Sequence, residues 1–355
     1  VGDLGREIGR DGLAQTVRNR QMWNRMRMND RDISDVTGYT YTYLMNGRTP
    51  AEGWTGLFSP GERVRLRFIN AGAMTLFDVR IPGVAMTVIA ADGQDIEPVT
   101  VDEFRIGAAE TYDVIVEPKE PAHTIFAQAI DRSGYAIGRL TTDAALPMAV
   151  PALDSPPVLG HADMGMAMDM DHGQGAHAGH AMGPAVRHAE TLFGPLVDLR
   201  VVQPRNQLPD PGIGLRDNGR SVLVYADLKS RAPNADRREP GRDIELHLTG
   251  NMERYVWSIN GVPADEAEPI RLKLGERVRI VLVNDTMMNH PIHLHGMWSD
   301  LETGHEGFLP RKHTVLVQPG SRISYRVTAD APGSWAYHCH LLYHMMGMFR
   351  TVVVA

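Results

Sequence analysis

Near the C-terminus, His338, Cys339, His340, Leu341, Leu342, Tyr343 and His344 bring three imidazoles around the only cysteine of a 355-residue chain. On an extended strand successive side chains point to opposite faces, so His338 and His340 share one face and Cys339 takes the other. A cysteine thiolate with imidazoles suits copper. Upstream, His290, Pro291, Ile292, His293, Leu294 and His295 divide in the same way: His293 and His295 share a face and His290 lies where the chain enters the strand. We assign His290, Cys339 and His344 to a two-histidine, one-cysteine copper site, with Met348 the best axial methionine and Met345 and Met346 as alternatives. His293, His295, His338 and His340 would then face a second copper group, joined to the first through the backbone. The zinc alternative fails, because closed zinc sites use Cys-x2-4-Cys or Cys/His pairs at turn spacing, and the chain has neither.

These ligands need strands to hold them, and an internal repeat shows where the strands lie. At an offset of 214 residues, Asn46-Gly47 recurs as Asn260-Gly261, Gly61 to Arg65 as Gly275 to Arg279, and Asn70 as Asn284. Each copy runs from an Asn-Gly turn into an alternating strand among many short β segments and Gly/Pro turns, which predicts an all-β chain of two Greek-key sandwiches. At the same offset His290, His293 and His295 fall opposite Leu76, Val79 and Ile81, so the first copy is expected to bind no copper there. Its lone histidine, His123, reads as surface decoration in a loop.

The copper motifs, with Tyr41 to Met45, Phe104 to Val116, Met164 to Met182 and Leu341 to Arg350, resemble the multicopper oxidases, in particular the periplasmic copper-resistance protein A group, over nearly the whole chain. The resemblance implies two cupredoxin-like domains. It also implies oxidation of a small reducing substrate, such as cuprous ion or a phenol, at a type 1 blue copper held by His290, Cys339, His344 and Met348. Electrons would pass through His338 and His340 to a trinuclear cluster that reduces dioxygen to water. Such a cluster takes four His-x-His pairs, and only His293/His295 and His338/His340 are present. The expectation is therefore that an N-terminal cupredoxin domain completes it. The family commonly places its axial methionine ten residues after the cysteine, whereas Met348 is nine after and Phe349 occupies the tenth position. A copper-sequestering protein without oxidase turnover is the alternative reading, and a mononuclear electron-transfer protein the third.

The expected organisation is a helical or irregular segment at 1–37, a copper-free cupredoxin-like domain at 38–150, a Met/His-rich linker at 151–200 and the copper-binding domain at 201–355. In the linker, Met164, Met166, Met168, Met170, His172, His177, His180 and Met182 offer auxiliary copper ligands in a stretch too poor in core residues to pack. At the N-terminus, Trp23, Met22 and Met26 suggest a helix laid on a sandwich. Asp300, Glu302 and Glu306 read as solvated loop charge, with cation guidance or proton relay as the functional alternative. With 43% hydrophobic and 22% charged residues and a formal charge of −7, the composition implies no nucleic-acid surface, and no apolar run reaches the length of a membrane span. Periplasmic location rests on the resemblance alone.

Overall fold

The computed structural model describes residues 2–26, 29–160, 163–165, 186 and 188–355. Two pairs of sheets make two sandwiches. In the first, a five-stranded sheet (order Trp54–Leu57, Tyr135–Thr141, Ala122–Ala129, Phe77–Arg80, Glu103–Ile106) faces a four-stranded one (Val64–Ile69, Thr111–Val116, Met86–Ala91, Gln94–Val101). The second pairs a five-stranded sheet (Ile270–Leu272, Phe349–Val354, Gly333–Cys339, His290–Leu294, Thr314–Val317) with a six-stranded one centred on Arg277–Asn284.

The repeat is structural. Asn46 and Gly47 have φ of 48° and 75°, and Asn260 and Gly261 have 54° and 70°, the left-handed pairs that a tight hairpin turn needs. Asn70 Nδ2 donates to the carbonyls of Thr75 and Ile106, and Asn284 Nδ2 donates to those of Met288 and Val317, so the same buried amide closes the same bend in both sandwiches. The copies differ in burial. Val64–Ile69 alternates between half-buried and exposed, whereas Arg277–Asn284 is buried along nearly its whole length because strands pair with both of its edges.

The strands of the second sandwich begin at Arg242; residues 201–241 belong to neither sandwich's sheets and lace the two together. Arg205 bridges to Ser321, Val222 to Glu103 and Ser230 to Ile96. Two helices, α1 (Gly2–Asp11) and α2 (Leu13–Met26), precede the first sandwich, and Trp23 of α2 enters the core cluster of the second. Met164 corrects the reading of its stretch as unable to pack. It is fully buried in that same core, where a methionine side chain contributes roughly 1.5–3 kcal/mol. Met166, Met168, Met170, His172, His177, His180 and Met182 lie outside the described residues.

Two further expectations are corrected. His123 lies in the strand Ala122–Ala129, buried, with its Nε2 accepting the Glu120 N–H at 3.1 Å. Of the carboxylates after the histidine motif, Asp300 and Glu302 are not solvated loop charge but lie buried and half-buried in ion pairs, whereas Glu306 is exposed in a turn, as expected. Asp300 pairs with Arg277 at 3.1 Å, Glu302 with Arg326 at 2.6 Å and Arg279 at 2.9 Å, and Glu306 with Arg326 at 2.9 Å. Among the described residues no helix is long and apolar enough to cross a membrane.

Candidate metal centre

Gly333–Cys339 and His290–Leu294 run antiparallel in one sheet, with Ile292 opposite Cys339 and His293 opposite His338. Alternation then does the sorting. The Cys339 thiol turns inward, fully buried, and meets His290 and His344, both also fully buried. Sγ lies 3.6 Å from His290 Nδ1 and 3.8 Å from His344 Nδ1, and the two Nδ1 atoms are 3.1 Å apart. His344 is delivered by the short helix α3 (Leu342–Met345), and its ring stacks on Trp257 with centroids 3.8 Å apart.

The outer nitrogens determine what the inner ones offer. His344 Nε2 donates to the Asp35 carboxylate at 2.7 Å. The Thr286 hydroxyl donates to Asn284 Oδ1 at 2.8 Å and therefore receives the His290 Nε2–H at 2.7 Å. Both rings thus keep their proton on Nε2 and turn Nδ1 lone pairs toward each other and toward the sulfur. Burial pushes both imidazoles below their usual pKa, His290 strongly, so they stay neutral. The same burial pushes the thiol far up, so with no cation present it remains protonated. Two converging lone pairs and a thiol form a donor set that a soft or borderline cation satisfies, and copper fits it.

Met348 is fully buried beside this trio, its N–H donating to the His344 carbonyl at 2.8 Å and its carbonyl accepting the Cys339 N–H at 3.0 Å. Met346, by contrast, is 83% exposed.

On the other face the protonation is reversed. His293 Nδ1–H donates to the His313 carbonyl at 2.7 Å and His338 Nδ1–H to the Cys339 carbonyl at 3.0 Å, which leaves Nε2 of each as the ligating atom. The His293 ring lies 4.5 Å from His295 and 5.6 Å from both His338 and His340, while His295 Nε2 and His338 Nε2 are 3.1 Å apart. Burial lowers the pKa of His293 to about 4 and lowers those of His338 and His340 as well. The structure therefore brings all four together on one side of the sheet, behind the sulfur.

The first sandwich has nothing of this kind at the matching place. The strand Phe77–Arg80 corresponds to His290–Leu294, and Gln128, opposite Asp78, stands where Cys339 stands opposite Ile292. Gln128 bonds to Asp154 at 2.6 Å, and Asp78 is paired with Arg105 and Arg132, both at 2.7 Å.

Sequence reasoning missed Asp35, Thr286 and His313, each of which holds a ligand candidate by its second nitrogen. Only the general rule that such nitrogens need a partner pointed to residues of this kind.

Two family models, both described as multicopper oxidase, match residues 17–145 and 237–355. The whole chain is 54% identical to copper resistance protein A of Escherichia coli and 55% identical to the copper resistance protein A homolog of Pseudomonas syringae pv. tomato, covering 66% and 65% of those proteins. It is 31% identical to the multicopper oxidase MmcO of Mycobacterium tuberculosis over 90% of the chain and 51% of that protein. The chain thus spans about two thirds of the length of the copper resistance proteins it matches. Among solved structures, Fet3p superposes with a TM-score of 0.56 at 18% identity, over 85% of this chain and 57% of that one. The laccase from Botrytis aclada gives 0.55 at 21% identity, over 85% and 53%. These likenesses show the cupredoxin-like fold.

Proposed function

The chain belongs to the multicopper oxidase family, and on that premise we propose that it is the electron-entry part of a periplasmic copper-resistance oxidase. The observation that carries this reading is the strand through Cys339, which places a sulfur among two imidazoles on one side and His338 and His340 on the other. In the proposal His290, Cys339, His344 and Met348 hold a type 1 copper. His293, His295, His338 and His340 hold their share of a trinuclear cluster, and another cupredoxin domain supplies the rest. Bound copper would supply one-electron redox chemistry at the thiolate and the four-electron, four-proton reduction of dioxygen to water at the cluster.

The chain's own residues do the positioning. Burial of Cys339 excludes water from the sulfur, and Asp35 and Thr286 fix the two imidazoles in the tautomer that presents Nδ1. The His338 Nδ1–H bond to the Cys339 carbonyl gives a second, hydrogen-bonded route beside the covalent one from sulfur to cluster. The reducing substrate, cuprous ion or a phenol, gives up one electron at a time. The Met/His-rich stretch, with Met166 to Met182, is proposed to gather copper.

The test is the visible spectrum of the chain titrated with Cu(II). A saturable thiolate-to-copper band at one copper per chain is expected, absent in Cys339→Ser and retained in His293→Ala. A blue Cys339→Ser variant would sink the assignment. Because the described residues hold only half of a cluster's histidines, sequestration without turnover is the second reading. It would gain if copper bound with no blue band, or if the longer protein showed no oxygen uptake with Cu(I).

A further inference from the structure

The second sandwich carries another group of metal donors outside both sites described above. His188, on the irregular segment before the turn Glu190–Phe193, approaches His247 on the strand Arg242–Asn251 and Asp285 just past Asn284. One ligand atom from each of the three lies within 4.8 Å of the others. His247 Nδ1 is 2.6 Å from Asp285 Oδ2, and His188 Nε2 is 3.6 Å from Asp285 Oδ1. Donors bound at about 2.0–2.2 Å in a tetrahedral site stand roughly 3.3–3.6 Å apart, so the His188–Asp285 spacing already fits, and His247 Nδ1 has only to give up its proton and draw back by about 1 Å.

Three features mark it as more than a histidine–aspartate pair. Asp285 is 1% exposed and His247 5%, so the carboxylate sits in a site from which water is largely excluded. His188 Nε2 is buried with no hydrogen-bond partner, although it points toward a carboxylate oxygen. That oxygen already accepts the Val201 N–H at 2.7 Å and keeps a further lone pair. A second carboxylate, Glu245, lies 3.5 Å from His247 Nε2 and also pairs with Arg322 at 3.1 Å.

We infer that His188, His247 and Asp285 form a binding site for a divalent, borderline-soft transition-metal ion such as Zn(II) or Cu(II). Two imidazoles with a carboxylate suit that class, whereas Cu(I) prefers the thioethers and thiolate that this site lacks. The ion gives the orphaned His188 nitrogen a partner and takes over from the His247 proton in facing the buried carboxylate. Its place is also informative. Asp285 immediately precedes Thr286, whose hydroxyl holds His290, so an ion here ties the segment around His188 to the turn that orients a residue of the sulfur site.

Zinc is the probe. The full chain is dialysed against buffered Zn(II) and its metal counted by mass spectrometry, beside His188→Gln. The expected result is one zinc fewer in the variant, with an unchanged circular dichroism spectrum. An equal count overturns the site. Zinc-soaked crystals of the unsubstituted chain give a readout independent of any folding defect: an anomalous peak among His188, His247 and Asp285 supports the inference, and none there ends it. Neither readout involves Cys339, so the outcome is separate from that of the oxidase proposal.

Discussion

Asp35 reaches His344 across 309 positions of sequence, and it shows what one side chain does for a candidate metal centre whose donor atoms it does not touch. By accepting the Nε2 proton it decides which nitrogen faces the sulfur. Asp35→Asn is expected to weaken copper binding about 10–100-fold while leaving a blue band, as a copper-competition titration would show. Acid should act on the same atoms. His290, His293, His338, His340 and His344 all have lowered pKa values, so folded they are neutral where the unfolded chain is protonated. The unfolded state then binds more protons. Stability is full above about pH 6.5 and falls with acid, for His293 until the pH nears about 4. Urea midpoints of the metal-free chain across that range would check the slope. Cys339 and its flanking histidines were legible in the sequence because strand parity is local. Asp35, Thr286 and His313 were not, because each acts through a contact made only by tertiary approach.

Secondary elements aim the ligands, and one glycine shows how tightly. A Cβ on Gly347 would come within 2.0 Å of the Trp257 carbonyl oxygen, so the turn carrying α3 into Phe349–Val354 passes flush against the strand Val256–Ile259. Trp257 also stacks on His344, and Met348 follows directly. Gly347→Ala should cost about 1–3 kcal/mol of stability and weaken the blue band, which thermal melting and absorbance would show together. At this scale the alternation of His293 and His295 and the strand near Val278 were readable from pattern. The full burial of Arg277–Asn284 was not, since it depends on two neighbouring strands. Met164 was likewise hidden, because its surrounding composition carries no core signal while a single residue of it inserts into the core cluster of the second sandwich.

Across the whole molecule, the two sandwiches meet around a buried cation. Lys312, fully buried, lies 3.0 Å from Asp92 and 3.1 Å from Glu110 of the first sandwich. Asp92 also accepts the backbone N–H groups of His313 and Thr314, and His313 holds His293. Lys312→Met should destabilise the chain by about 3–5 kcal/mol, because two carboxylates lose their counter-charge, and should separate one calorimetric transition into two. A single unchanged transition would contradict this. The repeat was readable as sequence; this ionic joint was not, because its charges come from Asp92, Glu110 and Lys312 in distant stretches. The repeat also bears on the order of assembly. The first sandwich closes its bend with Asn70 as the second does with Asn284, yet has Gln128 where the second has Cys339. The first sandwich thus reaches this architecture without the sulfur and imidazoles that the second gathers at the matching place. On the proposed reading copper would enter a finished cage instead of building one, and loading would be a late event that supply in the surrounding compartment could govern.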